Sequence, residues 1–367
     1  MAEYAADFEW RGEGEEAEIV LYAPNSTVAD WAFERTRLAA QLPGVTSPLY
    51  AAASSREART FGSVAASETH VAPDLMSAPA WDLLIVASVP IENLNELPEE
   101  MRRLISRKLS EITLPDIGEA EVRRAVEFGP LWAAEEGLIE EEDLSLFAQE
   151  EAGDADVLGR RSVSAGARDW TRPGKVHAFR IAELLDYEGA ESLGLDRGAL
   201  ALAVSVGSED LGRLAIAGHR ERILARASGG DFGAPIDLPA APVDTEEARD
   251  LLAATGAVAN YAAGRAALVL YALRQVLRED AGALHLRAAP LIGGLEERDG
   301  HVSHRNGLAA VGAGEALIVG RTVAAGTDGM LRSAPSFEVP EEDGRWAWEE
   351  AGILTRWATL ESLGDLA

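Results

Sequence analysis

The apolar positions of this chain fall into short runs that read as strands and longer periodic stretches that read as helices. Ala17 to Tyr22 predicts a strand and Pro24-Asn25-Ser26 a turn. A helix is expected from Val28 to about Gln41, capped by Ser26 or Thr27 and ended by Leu42-Pro43-Gly44. A further strand ends over Tyr50 to Ser54. Residues 98–152 read as an acidic, helical segment, with helices over Glu99–Ser110, Gly118–Phe128 and Leu131–Glu136. The run Glu140-Glu141-Glu142-Asp143 predicts the solvated start of one more helix, where carboxylates favour the positive end of the dipole. Leu200 to Val206 is a continuous apolar run of the buried-strand kind. Asp244-Thr245-Glu246-Glu247 has the D-x-x-E form of a capping box. It opens a helical region reaching Arg278, with a break expected near Thr255-Gly256. Ala259, Ala262, Ala263, Gly264 and Ala266 give that region a face for close packing, and Tyr261, Leu268 and Tyr271 read as core. The chain is centred on His301–Gly326: a short strand, a glycine turn, an apolar strand at Ala316–Val319 and a second glycine turn. Gly307, Gly312, Gly314 and Gly320 mark places of positive φ or close approach.

Composition narrows the chemistry. With 367 residues the chain reads as a single domain over 1–367, with about 98–152 as an excursion within it. No apolar run reaches the roughly 18 residues of a membrane span, and the acidic start lacks a signal peptide's basic region. A cytoplasmic protein without a membrane partner is expected. Cysteine is absent, which excludes disulfides, zinc–thiolate sites and thiol catalysis. The only lysines are Lys108 and Lys175, and neither lies in the K-x-D-G setting of a lysine-adenylating ligase. No P-loop, G-x-S-x-G elbow or H-E-x-x-H pattern occurs. Net charge is −29, and about 20 of those charges precede residue 156. Counterion-driven binding of nucleic acid needs a basic surface, so this balance disfavours RNA as a partner.

A series of short matches, in order from about residue 17 to 350, resembles the RtcB family of RNA-splicing ligases. His304-Arg305-Asn306-Gly307 and Ile318-Val319-Gly320-Arg321-Thr322 stand where that family has HRKGA and IPGSMGT. Phe61-Gly62-Ser63-Val64 resembles its IGSV, and Gly207-Ser208-Glu209-Asp210-Leu211-Gly212 its HSGSRGLG turn. Ala259-Asn260-Tyr261-Ala262-Ala263-Gly264-Arg265 is similar to the A-N-F-A-x-x-N-R of its long helix.

The resemblance implies an α/β (α+β) fold of packed mixed β-sheets with flanking helices. It also implies a ligase site with two manganese ions, GTP and a histidine nucleophile, and there the residues depart. Asp82 stands in an aspartate ligand's place, but Ile85 replaces the cysteine and an isoleucine cannot ligate a metal. Ala52 and Ser54 stand where an aspartate and a histidine belong, Ser205 replaces a second histidine, and Pro290 a third. Glu296 keeps its place, Glu209 reverses an arginine's charge, and Glu341 stands in the nucleophile's place. His177 falls at or beside a further ligand position. The tail that holds guanine in the family is expected to be missing.

The reading is a degenerate RtcB-like protein, inactive as an RNA ligase, that acts as a binding or partner protein. An intact RtcB-like ligase is one candidate partner. No catalytic residue and no cofactor is expected. A residual nucleotide place would use His304, Arg305, Gly320 and Arg321, and a residual metal place Asp82 and His177. The alternative is a GTP- and manganese-dependent ligase with a rebuilt site, drawing on His177, Asp82, His301 and His304, that joins 2′,3′-cyclic phosphate or 3′-phosphate ends to 5′-hydroxyl ends.

Overall fold

A computed structural model of the protein describes residues 5–11, 16–22, 38–53, 61–90, 117–147, 153–170, 175–184, 199–230, 232, 238–289, 291–298, 300–306, 316–319, 322–325, 345–348 and 353–357. The chain begins with strands β1 (Ala5–Arg11), β2 (Glu16–Tyr22), β3 (Val45–Ala53), β4 (Phe61–Ser67), β5 (His70–Val71) and β6 (Ala80–Pro90). Helices α1 (Glu119–Phe128), α2 (Pro130–Glu135), α3 (Glu141–Leu144) and α4 (Gly159–Asp169) come next. Then follow β7 (Lys175–Leu184), β8 (Ala199–Gly207), α5 (Glu209–Ser228), β9 (Ala241–Pro242) and α6 (Glu246–Ala281). The last strands are β10 (Leu284–Ala288), β11 (Gly293–Arg298), β12 (His301–Asn306), β13 (Ala316–Val319), β14 (Thr322–Ala325), β15 (Arg345–Trp348) and β16 (Ile353–Trp357).

These strands form two larger sheets. The first has the order β1-β2-β3-β4-β12-β11 and is antiparallel except for the β2–β3 pair. The second has the order β10-β6-β8-β7-β16-β15 and is antiparallel throughout. The architecture is therefore α+β. Most of Val28–Gln41 and all of Glu99–Ser110, two expected helices, lie outside the described residues, as do Gly307, Gly312, Gly314 and Gly320.

Helix α6 is the element around which the described residues pack. Thr245 caps it, in an extended conformation, with its hydroxyl accepting from the Ala248 N–H at 3.4 Å. Glu246 and Glu247 follow at the positive end of the dipole. The cap lies one residue later than the D-x-x-E pattern predicts, so alanine, not glutamate, occupies the third position and no reciprocal bond forms. The expected break at Thr255-Gly256 is also absent. Thr255 donates its hydroxyl to the Leu251 carbonyl at 2.7 Å, which satisfies it inside the helix, and the helix runs 36 residues without interruption. Gly282, at φ +68°, ends it.

The first turns of α6 meet β11, where Leu251 packs with Val71, Leu295 and Val302. Its later turns lie on the second sheet, whose alternate residues Trp81, Leu83 and Ile85 of β6 and Leu202, Val204 and Val206 of β8 face the helices. Trp81 donates its indole N–H to the Ala259 carbonyl at 3.0 Å and so ties sheet to helix. Tyr261 and Leu268 are buried as expected, while Tyr271 is half-buried. Among the described residues, no helix is long and apolar enough to cross a membrane.

Residues 117–147 pack on α6. Glu121 reaches back to the Gly118 N–H at 3.1 Å and closes the start of α1. Val122, Ala125 and Val126 make its buried face, and Gly129, at φ +53°, turns the chain into α2 with Pro130 first. Glu140, Glu141 and Glu142 are exposed, in line with the solvated start expected there. Asp143 is not: it is buried and paired with Arg274 of α6.

Helix α5 comes close to α6 through Gly212. A β-carbon there would lie 2.9 Å from Val258 Cγ1 and 2.8 Å from Ser208 Cβ. Gly212→Ala is therefore expected to destabilise the fold by about 1–3 kcal/mol through overpacking. Urea unfolding measures it, and a neutral result would mean that the two helices move apart freely.

Candidate functional site

Strand β6 alternates between two environments. Trp81, Leu83 and Ile85 face the helices, and Asp82, Leu84 and Val86 occupy the other face. Asp82 and Ile85 are three apart on a strand, so they point to opposite sides. Across from Asp82 on β8 sits Ser205, its Cα partner in the ladder. The Ser205 hydroxyl donates a short hydrogen bond to Asp82 Oδ1, and Asp82 is only 6% exposed.

At the end of β8 the chain turns through Gly207 and Ser208 into α5. Glu209 makes the turn at φ +47°, the one positive-φ position among the described residues that is not glycine. Beneath it lies Arg265, from the middle of α6 and 1% exposed. Arg265 Nη1 donates to the Gly207 carbonyl and stands 3.7 Å from Glu209 Oε1. Its guanidinium carbon is 5.9 Å from the centre of the Tyr261 ring. Tyr261 donates its hydroxyl to the Gly166 carbonyl at 2.9 Å, and burial raises its pKa far above the ordinary tyrosine value. Asp169, buried at the end of α4, accepts from the Asp210 N–H at 2.9 Å and caps α5. Carboxylates and guanidinium thus serve helix ends and strand ends here.

His304 and Arg305 are neighbours on β12 and face opposite sides of the first sheet. The imidazole of His304 is fully buried. Its Nε2 accepts from the Ala72 N–H at 2.9 Å and its Nδ1–H donates to the Ala65 carbonyl, 3.1 Å away. Both ring nitrogens are committed to backbone, and burial pulls the pKa down to about 4. Arg305 is buried, pairs with Glu296 Oε2 on β11, and is lowered to about 10 by loss of solvent. It is still charged at neutral pH. His301 faces the other way from His304 and approaches Glu68 at 3.3 Å.

The residues expected from sequence that the structure describes stand on two different sheets. His304 and Arg305 belong to the first sheet, and Asp82 and His177 to the second. His177 stands opposite Ala203, two residues along from the row that holds Ser205 and Asp82. Two strand spacings and two residues put its Cα roughly 12 Å from that of Asp82. Gly320, Arg321, Pro290 and Glu341 lie outside the described residues. Among the described residues, no group of three or more His, Asp or Glu side chains is arranged to share a metal ion. The Asp82 carboxylate and the Ser205 hydroxyl, bonded to each other, supply at most two of the several hard oxygen or nitrogen donors that a manganese ion takes.

The sequence places Gly207 and Glu209 in one motif and Arg265 in another, and does not show that the buried Arg265 reaches the Gly207 carbonyl beneath the exposed Glu209. Compared with models of known protein families and with curated proteins, the chain matches none.

Proposed function

We propose that this is an RtcB-like protein that does not join RNA ends and works instead by binding a protein partner, with an intact RtcB-like ligase as the first to try. The observation that carries the reading is the Ser205–Asp82 hydrogen bond. The carboxylate in an aspartate ligand's place is engaged by the residue in a histidine ligand's place, while Ile85 belongs to the apolar core. His304 supports it as well, because neither ring nitrogen is left for a phosphate.

Calorimetric titration of the metal-free protein with Mn²⁺ is expected to give no dissociation constant in the low micromolar range or tighter. Labelled GTP with Mn²⁺ should leave no acid-labile, base-stable label on the protein. Millimolar GTP should raise the melting temperature by less than about 1 °C, since stabilisation follows RT ln(1 + [L]/Kd). Tight manganese binding together with a covalent guanylyl label would overturn the proposal. It would favour the GTP- and manganese-dependent ligase that joins 2′,3′-cyclic phosphate or 3′-phosphate ends to 5′-hydroxyl ends.

A further inference from the structure

Among the described residues, three large apolar side chains stand in solvent: Phe128, Leu131 and Leu224, at 44%, 45% and 36% exposure. Leu224 is alone on α5, and a single exposed leucine is ordinary. Phe128 and Leu131 are a pair. Phe128 ends α1, and Leu131 follows Pro130 at the start of α2. Three residues of chain keep their Cα atoms within about 10 Å. Residues four apart share a helix face, so Arg124 lies beside Phe128 and Glu135 beside Leu131. Arg124 Nη2 meets Glu135 Oε2 at 3.3 Å, which turns both rows to one side of the corner.

The corner is fixed from beneath. Gly129, at φ +53°, donates its N–H to the Ala125 carbonyl at 2.8 Å. It packs so closely on α6 that a β-carbon there would lie 3.0 Å from Asn260 Oδ1. Asn260 donates its amide to the Val126 carbonyl at 3.0 Å. Gly129 and Pro130 are buried, while the residues on either side of them are exposed. A docked backbone thus holds two large apolar side chains out in water, and little ordering is left to lose when a partner covers them.

Charge selects the partner. Residues 117–147 carry nine carboxylates against Arg123 and Arg124. Arg123 is matched by Asp156 at 3.1 Å, and Arg124 by Glu135 and Glu136. Glu121, two turns before Phe128 on the same face, is exposed, as are Glu135 and Glu136. An anionic membrane, a nucleic acid and a second copy of a chain of charge −29 would all meet this rim with like charge. A cationic partner meets it with opposite charge.

We infer that Phe128 and Leu131 anchor a docking surface for a basic amphipathic helix of a protein partner. The two side chains stand out from the corner and enter the partner's apolar stripe, and its flanking lysines or arginines face the carboxylates. The surface rests on the function proposed above only in taking the partner to be a protein.

A fluorescein-labelled peptide of leucine and lysine, with its leucines at helical spacing, is the probe. Its control has the same composition with the leucines spread around the helix. Fluorescence anisotropy should show the amphipathic peptide bound more tightly than the control, and more weakly as salt is added. The double variant Phe128→Ser/Leu131→Ser should weaken binding at least about tenfold, and Leu224→Ser should leave it unchanged. Equal binding of the two peptides, or equal binding by the double variant, would overturn the surface.

A second measurement does not depend on the serine variant's folding. Photoreactive p-benzoylphenylalanine in place of Phe128 keeps a ring there and should crosslink the amphipathic peptide, whereas the same group in place of Leu224 should not. Crosslinking at both positions alike, or at neither, would overturn the surface. So would self-association, or flotation with phosphatidylglycerol vesicles, that the double variant abolishes, because the occupant would then be a second copy or a membrane. Failure of the peptide arms leaves the absence of RNA ligation untouched. Tight manganese binding with a guanylyl label would overturn the proposed function and leave the docking surface to the peptide result.

Discussion

Replacing Arg274 by alanine is expected to cost about 3–5 kcal/mol of folding stability, the range for breaking a buried ion pair from one side. Arg274 lies on α6 with its side chain 22% exposed, and Asp143 on α3 is 6% exposed. The guanidinium grips both carboxylate oxygens, with Nη2 donating to Oδ1 at 2.9 Å and Nη1 to Oδ2. Its Nε donates to the Leu284 carbonyl at 2.9 Å, at the start of β10. Alanine would leave a buried carboxylate uncompensated and a strand-end carbonyl unmet. Asp143 has a second duty, since Oδ2 accepts from the Glu140 N–H at 3.1 Å and caps α3. Arg274→Lys should recover part of the loss, because an ammonium keeps the charge but not the two-pronged geometry. Chemical denaturation of Arg274→Ala, Asp143→Asn and the double variant gives the coupling between them. A cost under about 1 kcal/mol for Arg274→Ala would show that the 117–147 segment is not held by this pair.

Acid should destabilise the protein by about 3 kcal/mol through His304 alone. The folded pKa is lowered from 6.5 to about 4 by burial, and each pKa unit is worth about 1.4 kcal/mol. The sign follows from which state binds the proton. Between these two values the unfolded chain is protonated at this residue and the folded one is not, so stability falls as pH falls. The loss begins near pH 6.5 and is complete near pH 4. Protonation would also turn Nε2 into a donor facing the Ala72 N–H. His70 and His219 are lowered too, chiefly by burial, and act in the same direction. Urea unfolding at pH 7 and pH 4.5 should therefore show a drop that shrinks in His304→Gln, whatever that variant's baseline. An undiminished drop would assign the acid sensitivity to other groups.

Much of the local structure was legible in the residues. The strand at 17–22, the helices beginning at 118 and 130, and the buried strand ending at Val206 all occur close to where apolar runs and turn residues put them. Helix α5 was passed over, although Leu211, Ala215, His219 and Ile223 recur every four residues and are its buried side. Arginines and small residues between them diluted the pattern. At Thr245 and Thr255 local preference misled, because packing along α6 outweighs the modest cost of threonine and glycine in a helix.

The candidate site was less legible, and for a different reason. From the residues alone it follows that no thiol chemistry is open to the chain, that Ile85 cannot hold a metal, and that the charge balance disfavours a nucleic-acid surface. Which polar group meets which does not follow. Ser205 reaches Asp82 across 123 residues, Arg274 reaches Asp143 across 131, and His304 meets the Ala72 N–H across 232. Each contact depends on strand register or helix docking. A shift of one residue would send every side chain of a strand to the other face, and no local pattern of apolar and polar positions carries that information. Burial then settles the chemistry. It makes His304 a neutral backbone partner and turns Asp143 from a solvated carboxylate into half of an internal ion pair.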